Sequence, residues 1–342
     1  MIKRNKNKVF IIAEAGVNHN GQVRLAKKLV DAAKRAGCDA VKFQIFKAED
    51  LVLQTAKLAD YQKKNKDNKA KNQYQLIKGL ELSFDNFREI KHYCDERRII
   101  FLATPFDYKS ADLLEKLNVF SFKIPSGEVT NIPFLEYVAR KKKPIILSTG
   151  MSNLYEVKEA VKTIYNAGNK NLILLHCVTE YPAPFKEVNL QVIHTMRKIF
   201  GLKVGYSDHT LGIEIPIAAV ALGAEVIEKH LTLDRNLPGP DHKSSLEPDE
   251  FKKMVTAIRN VEQAMGDGIK RPMRSEMKSL SIVRRSLVSA QDLIKGQKIT
   301  LKDLAIKRPG DGIPPRNLQK VLGLKVKKGI RRDTVIYWSD LT

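Results

Sequence analysis

Short apolar runs alternate with longer amphipathic segments along most of the chain. Aliphatic and β-branched residues dominate the runs, which therefore predict β-strands. They span 9–16, 40–46, 99–106, 121–127, 144–150, 172–182, 203–210 and 225–232. Helical periodicity follows each of the first seven runs, and the eighth is followed by a loop and a helical segment at 248–266. The chain therefore reads as eight successive strand–helix units.

Eight such units are typical of a (β/α)8 TIM barrel, the α/β fold in which helices cover a ring of parallel strands. An open doubly wound sheet shows the same alternation, usually with fewer strands. The barrel is therefore the predicted architecture. The segment 47–82 is longer than one loop and one helix require. It predicts an elaborated loop after the second strand, of the kind that acts as a lid over a functional site.

The pattern changes after Gly266, which ends the predicted barrel domain at residues 1–266. Residues 267–282 mix Gly, Pro and basic side chains and predict a linker. Residues 283–342 contain short segments separated by turns, which indicates a separate small domain. A domain of this size is marginal on its own, so we expect it to pack against the barrel or against another subunit.

Composition narrows the class of protein. Hydrophobic residues make up 43% and charged residues 29% of the 342 positions, as in an ordinary globular protein. The formal net charge is +22, but the basic residues are spread along the chain and aromatic residues are only 7%. That distribution argues against a nucleic-acid partner, and it leaves either anionic substrates or a generally basic surface.

Cysteines and apolar runs indicate the compartment. The three cysteines, Cys38, Cys94 and Cys177, show no CxxC spacing and predict buried, reduced thiols rather than a disulfide framework. No apolar run approaches the roughly 18 residues that a transmembrane helix needs, and the N-terminal run is too short for a signal peptide. We therefore expect a cytoplasmic protein with no membrane partner.

Polar side chains occur where each predicted strand ends. In a TIM barrel the carboxyl ends of the strands carry the chemistry, so these residues are expected to converge on one active site. In strand order they are Glu14, Asn18 and His19; Lys42 and Gln44; Thr104; Lys123, Ser126 and Glu128; Ser148 and Thr149; His176, Thr179 and Tyr181; Ser207, Asp208 and His209; and Glu228 and His230.

Two of these residues, Lys42 and Lys123, lie inside apolar strands, where an unpaired ammonium group is costly. One interpretation is a structural ion pair with Glu14 or Glu228. The other is a site for a compact anion such as phosphate or carboxylate. The serines that would complete the anion site are Ser126, Ser148 and Ser207.

His209 and His230 end neighbouring predicted strands at similar heights. Two imidazoles placed in this way form a partial site for a divalent metal and leave positions open for water and substrate. The alternative is two unrelated polar histidines, because the sequence has no HExxH or CxxC motif that would support a metal site.

Ordered motifs along nearly the whole chain resemble those of the sialic acid synthase family, which comprises N-acetylneuraminate synthase and its bacterial relatives. They are AEAGVNHNG, VKFQ, TPFD, KIPSGE, ILSTGM, LLHC, EYPAPF, GYSDHT, EKHLTLD, GPDH and KRPGDGI. The resemblance implies a (β/α)8 TIM barrel followed by a small antifreeze-like (SAF) domain. It also implies a transferase that joins phosphoenolpyruvate to an N-acetylated amino sugar, releases phosphate and requires a divalent metal, Mn2+ or Mg2+.

The resemblance also implies residue roles. It assigns Glu14 and Glu128 to acid–base catalysis and His209 and His230 to the metal. Phosphoenolpyruvate would contact Lys42, Lys123, Ser126, Ser148, Thr179 and Ser207, and the sugar would contact Gln44, Tyr181, Asp241 and Arg308. Arg308 would come from the SAF domain of a second copy, which implies a homodimer with exchanged C-terminal domains.

The sequence does not decide between two sugar substrates. N-acetylmannosamine would give N-acetylneuraminate, and this is the first expectation. FKAEDL and GPDHKSSLEP are nearer to the bacterial branch with legionaminate synthases, for which the sugar is 2,4-diacetamido-2,4,6-trideoxymannose. Other classes are a phosphoenolpyruvate aldol synthase acting on a phosphorylated aldose, a non-catalytic sugar-binding protein and a basic nucleic-acid-binding protein.

Overall fold

The computed structural model describes residues 8–58 and 70–342. Residues 59–69 of the predicted lid segment lie outside this described part. The chain divides into two compact units, residues 1–266 and 267–342. Each unit has its own apolar core.

The first unit contains eight parallel strands at the predicted positions. They are β1 (Phe10–Gly16), β2 (Ala40–Ile45), β3 (Ile100–Pro105), β4 (Phe122–Ile124), β5 (Ile145–Ser148), β6 (Leu172–Cys177), β7 (Lys203–Asp208) and β8 (Val226–His230). The hydrogen-bonded order is β3-β2-β1-β8-β7-β6-β5-β4, and β3 and β4 at the two ends contact each other. The sheet therefore curves into a near-closed barrel, which confirms the predicted fold class.

Helices follow the strands of this unit, and most of them cover the outside of the barrel. They are α1 (Val23–Ala36), α2 (Ala48–Leu51), α3 (Gln73–Lys78), α4 (Phe84–Glu96), α5 (Tyr108–Lys116), α6 (Ile132–Arg140), α7 (Leu154–Asn166), α8 (Val192–Phe200), α9 (Glu214–Ala221) and α10 (Pro248–Ala264). Ser83 caps the start of α4, because its hydroxyl accepts a hydrogen bond from the Asn86 backbone N–H. Short α2 and α3 belong to the elaborated segment after β2.

The strands are nearly continuous hydrophobic runs in the sequence because both of their faces pack against apolar side chains. One layer packs between the strands and the helices. A smaller cluster fills the inside of the barrel, with Phe10, Ile12, Ala40, Leu102, Ile146, Leu175 and Val226. Because alternate residues of a strand share a face, the next inward positions after this cluster are polar. They include Glu14, Lys42 and Glu228, so the inner face changes from apolar to charged toward the carboxyl ends of the strands.

The register of the strands sets the charged residues at one level. Glu14 of β1 lies opposite Lys42 of β2 on one side and His230 of β8 on the other. Ser207 of β7 lies opposite Glu228 of β8. These pairings bring residues far apart in sequence together at the same end of the barrel.

The second unit contains an antiparallel pair, β9 (Ser286–Ser289) with β10 (Leu304–Lys307), and the short helix α12 (Leu318–Val321). Its buried core includes Leu287, Ile299, Ile313 and Ile336. Helix α11 (Met277–Val283) forms within the segment that the sequence predicts as a linker. Among the residues that the model describes, no helix is long and apolar enough to cross a membrane.

Candidate active site

A cavity of about 330 Å³ opens at the carboxyl ends of the barrel strands. Twelve of the fourteen predicted site residues line it: Glu14, Lys42, Gln44, Lys123, Ser126, Ser148, Thr179, Tyr181, Ser207, His209, His230 and Asp241. Thr104 and Glu228 line the same cavity. The strand ends therefore do meet around one site.

Two lysines and two glutamates form an ion network at the base of this cavity. Lys42 Nζ lies 2.7 Å from Glu14 Oε2 and 3.7 Å from Glu228 Oε2, and it donates a 3.0 Å hydrogen bond to the hydroxyl of Thr104. Lys123 Nζ lies 3.5 Å from Glu228 Oε1. The ion pairs considered for the lysines are therefore present, and both lysines also face the cavity. Glu228, which was expected at the site from its place at the end of β8, joins the two cations.

The network drives its two carboxylates toward different protonation states. Burial raises the pKa of Glu14, and the nearby Glu228 charge raises it further, against the opposing effect of Lys42. Burial also opposes the charge of Glu228, but Lys123 and Lys42 outweigh it and hold the Glu228 pKa below its usual range. The difference arises because Glu228 has two cations and also accepts a 2.9 Å hydrogen bond from the Ser207 hydroxyl. Glu14 is thus suited to carry a proton and Glu228 to remain ionised.

Serine hydroxyl groups line the cavity together with the second lysine. Lys123 Nζ donates a 2.7 Å hydrogen bond to Ser148 Oγ, and burial lowers the pKa of this ammonium group. The Ser126 hydroxyl accepts a 2.9 Å hydrogen bond from the Gly150 backbone N–H and lies 3.1 Å from the Cys177 sulfur. Cationic and hydroxyl donors concentrated in this way suit a compact anion.

The two candidate metal ligands lie side by side. The ring centroids of His209 and His230 are 5.5 Å apart, and the centroid of the Tyr181 ring lies 4.2 Å from that of His209, with the two rings tilted by 34°. His209 Nδ1 lies 2.6 Å from the Val178 carbonyl oxygen, so it donates there and leaves Nε2 as the lone-pair nitrogen of a neutral ring. Burial lowers the pKa of both imidazoles, for His230 well below its usual range.

These features fit a two-nitrogen metal site. His230 Nδ1 is buried and has no hydrogen-bond partner among the described residues, and neutral imidazoles are the form that binds a metal. Within residues 8–58 and 70–342, however, no group of three or more His, Cys, Asp or Glu side chains is arranged to hold a metal. Water or substrate would therefore have to supply the remaining ligands.

Asp241 is held in place by residues whose role the sequence did not reveal. Its backbone carbonyl accepts a 2.7 Å hydrogen bond from the Ser245 hydroxyl, and this hydroxyl accepts a 3.0 Å bond from Asn18 Nδ2. Asn18 Nδ2 also lies 2.9 Å from the Leu231 carbonyl, next to His230. The NHNG and GPDH motifs that contain Asn18 and Asp241 could have suggested such a link, but the motifs do not show which residues touch.

Burial, together with the nearby charge of Glu14, raises the pKa of Asp241 to about 7. Between about pH 4 and 7 the folded state therefore binds a proton that the unfolded chain has released, so this residue makes stability fall as pH rises through that window and level off above it. Compared with Asp241→Asn, the wild type should lose about 1.4 kcal/mol per pH unit there. Urea unfolding of both proteins over this range measures the difference, and a constant difference would contradict the assignment.

Two of the fourteen residues with an implied role do not line the cavity. Five other polar residues expected there from their place at the strand ends do not line it either: Asn18, His19, Thr149, His176 and Asp208. Glu128 follows β4 in a short 3-10 turn, is half-buried and accepts a 2.6 Å hydrogen bond from Asn131 Nδ2. Burial raises the pKa of its carboxyl group. Arg308 follows β10 in the second unit and is exposed. The acid–base role of Glu128 and the sugar contact of Arg308 stay predictions.

A barrel whose charged cavity lies at the carboxyl ends of its strands has the layout of a TIM-barrel enzyme. Residues 29–270 match the model of the NeuB family, and residues 284–342 match the SAF domain. The chain belongs to the NeuB family, which confirms the resemblance to sialic acid synthases and the antifreeze-like C-terminal domain.

Three relatives show how near the match is. An N,N'-diacetyllegionaminic acid synthase of Campylobacter jejuni is 50% identical over 331 residues, which cover 96% of this chain and 99% of the relative. The synthase of the same name from Legionella pneumophila is 46% identical over 336 residues, which cover 97% of this chain and 94% of the relative. The crystal structure of an N-acetylneuraminic acid (sialic acid) synthetase from Leptospira borgpetersenii matches with a TM-score of 0.70 and 38% sequence identity. The match covers 80% of this chain and 90% of the Leptospira chain.

Proposed function

We propose that this chain condenses phosphoenolpyruvate with 2,4-diacetamido-2,4,6-trideoxymannose and releases phosphate, so that it forms N,N'-diacetyllegionaminic acid. The observation that carries the proposal is the cavity in which a lysine–glutamate network lies beside two neutral imidazoles. The two legionaminic acid synthases among the relatives support this sugar over N-acetylmannosamine. N-acetylneuraminate formation from N-acetylmannosamine is kept as the second candidate because of the Leptospira structure.

The lysine end of the cavity suits phosphoenolpyruvate. Lys42 and Lys123 supply the positive charge for its phosphate and carboxylate, and Ser126 and Ser148 supply hydroxyl donors. The Ser207 hydroxyl donates to Glu228 in the free site and would turn to the substrate. Because both lysines are already held by carboxylates, they meet the substrate without a large rearrangement. Fixing the phosphoenolpyruvate in this way aims its carbon 3 at the aldehyde carbon of the open-chain sugar.

The reaction forms one carbon–carbon bond and consumes one water. Carbon 3 of phosphoenolpyruvate attacks the aldehyde, water adds at carbon 2, and phosphate leaves by carbon–oxygen cleavage. The water oxygen becomes the keto oxygen at carbon 2 and so gives up both of its protons. One proton is gained by the aldehyde oxygen, and the other leaves on the phosphate. Glu14 is the carboxyl group suited to carry a proton at this point, because burial raises its pKa, whereas Glu228 keeps the charge that balances the lysines.

A divalent metal is part of the proposal. His209 and His230 would hold it, and when bound it would polarise the aldehyde of the sugar. Tyr181 packs against both imidazoles and would help to fix their orientation. For Arg308 we keep the proposed role of closing the sugar site of a second copy, as part of a homodimer.

Phosphate release from phosphoenolpyruvate tests the activity, the sugar and the metal together. We expect turnover with the 2,4-diacetamido sugar to exceed turnover with N-acetylmannosamine, and we expect EDTA to abolish both and Mn2+ to restore them. A phosphorylated aldose is the control for the related aldol synthases and should give no release. Absence of turnover with both amino sugars would overturn the proposed function, whereas full activity in EDTA would overturn only the metal.

A further inference from the structure

Five aliphatic side chains from the segment that follows β2 form one wall of the cavity. We call them the aliphatic wall: Leu51, Val52, Leu76, Ile77 and Leu80. All five are half-buried, so each keeps apolar surface that a bound molecule could cover. They come from α2, from α3 and from the residues that follow each helix. These segments extend from the carboxyl end of β2, so the wall lies beyond the charged base of the cavity.

Ion pairs tie the two parts of the wall together. Glu81 Oε1 lies 2.6 Å from Lys47 Nζ, and Glu81 Oε2 accepts a 3.2 Å hydrogen bond from the Ala48 backbone N–H. Lys78 Nζ lies 3.2 Å from Glu81 and 2.8 Å from Glu49. The helix before the gap in the described residues is thereby fastened to the helix after it. The aliphatic wall is consequently a built surface rather than a chance contact of two loops.

The wall differs sharply in chemistry from the base of the cavity. The base presents ammonium, carboxylate, imidazole and hydroxyl groups. Within 46–58 and 70–82, Gln73 is the single polar side chain that lines the cavity, and Phe46 adds further apolar surface. A substrate that spans the cavity must therefore have one ionic end and one end that tolerates or prefers apolar contact.

We infer that the aliphatic wall is the specificity element for the far end of the sugar, where it packs against the 6-methyl and acetamido methyl groups. This inference rests on the proposed function, because the reacting aldehyde must lie at the charged base and so directs the far carbons toward the wall. At carbon 6 the trideoxy sugar has a methyl group, whereas N-acetylmannosamine has a hydroxymethyl group. Against aliphatic side chains that hydroxyl loses water without gaining a hydrogen bond, which disfavours the sugar.

The size of the effect is bounded by the kind of contact. An apolar pocket discriminates against an added hydroxyl by roughly tenfold to a hundredfold, not by the larger factors of a hydrogen-bonded site. We therefore expect the wild type to prefer the trideoxy sugar over N-acetylmannosamine by a factor in that range, measured as the ratio of kcat/KM values.

Two wall variants and one matched control test the inference. Val52→Thr replaces a methyl group by a hydroxyl at nearly constant volume, and Ile77→Gln places an amide on the wall. Leu53→Gln is the control, because Leu53 adjoins the wall in sequence but is 77% exposed and does not line the cavity. For each protein, kcat/KM is measured with both sugars at saturating phosphoenolpyruvate, and the KM for phosphoenolpyruvate and the thermal midpoint are recorded.

We expect the preference for the trideoxy sugar to fall about tenfold in Ile77→Gln and several-fold in Val52→Thr. The KM for phosphoenolpyruvate and the Leu53→Gln preference should stay at wild-type values. If the wild type is active but both wall variants keep its preference, or if Leu53→Gln loses it equally, the wall inference fails and the proposed function stands. If the wild type turns over neither sugar, the proposed function fails and the inference falls with it.

Discussion

Replacing Lys42 with Met should lower kcat/KM for phosphoenolpyruvate by at least about 100-fold, the effect of losing one preorganised charged donor from a buried site. Lys42 is only 4% exposed and lies between Glu14 and Glu228. Its removal takes away a cation that we assign to the substrate anion. It also leaves two carboxylates facing each other without the charge that separates them.

The same substitution should change the protonation of Glu14. In the wild type, burial raises the pKa of Glu14 and the charge of Lys42 lowers it. Without the ammonium group the pKa of Glu14 rises further, because burial and the charge of Glu228 are no longer balanced. The remaining activity of Lys42→Met should therefore increase at higher pH relative to that of the wild type, which a loss of anion binding alone would not produce.

Phosphate release over a pH range and phosphoenolpyruvate binding by calorimetry measure both effects. Lys203→Met is the matched control, because Lys203 pairs with Glu225 at 2.8 Å and is 61% exposed at the start of β7. This control should retain wild-type kinetics. A Lys42→Met protein with kcat/KM within about threefold of wild type would remove Lys42 from the anion site, because such a change is far below the loss of one charged donor.

The strands and their inward faces were predictable because local patterns encode them. Apolar runs predicted the positions of all eight strands, and polar residues at their ends predicted where the inner face becomes charged. The rule that barrel chemistry lies at the carboxyl strand ends then selected most of the residues that line the cavity. Buried Cys38, Cys94 and Cys177 are free thiols, as predicted from their spacing.

Glu14 and Glu228 could be named as possible partners of the lysines, but which lysine contacts which carboxylate was not predictable, because that depends on closure of the barrel. Glu228 lies near Lys42 only because β1 pairs with both β2 and β8, which brings together residues far apart in sequence. Spacing within one strand contains no information on such pairs. The contact of Asn18 with Ser245 links the first and last strand–helix units. It was not predictable either, because it too depends on closure of the barrel. Nor did the polarity of 47–82 reveal which of its aliphatic residues would face the cavity.

A buried ion pair that the sequence did not predict lies directly behind the two histidines. Lys229 Nζ is 2.5 Å from Asp208 Oδ2, and both side chains are fully buried. Lys229 lies between Glu228 and His230 in β8, and Asp208 precedes His209 in β7. Because neighbours along a strand point to opposite faces, the pair lies on the helix side of the sheet and joins the two strands that carry the imidazoles. Asp208 also accepts hydrogen bonds from the backbone N–H and hydroxyl of Thr210.

Lys229→Met should therefore reduce the free energy of unfolding by roughly 3–5 kcal/mol, because it leaves the Asp208 carboxylate buried without a cation. The double variant Lys229→Met/Asp208→Asn should recover most of this loss, since no charge remains uncompensated and Asn keeps an acceptor for Thr210. Lys203→Met breaks an exposed pair between β7 and Glu225, the residue before β8, and should cost no more than about 1 kcal/mol. Urea unfolding of the four proteins measures these values, and a double variant no more stable than Lys229→Met would show that the loss comes from packing of the lysine stem rather than from the ion pair.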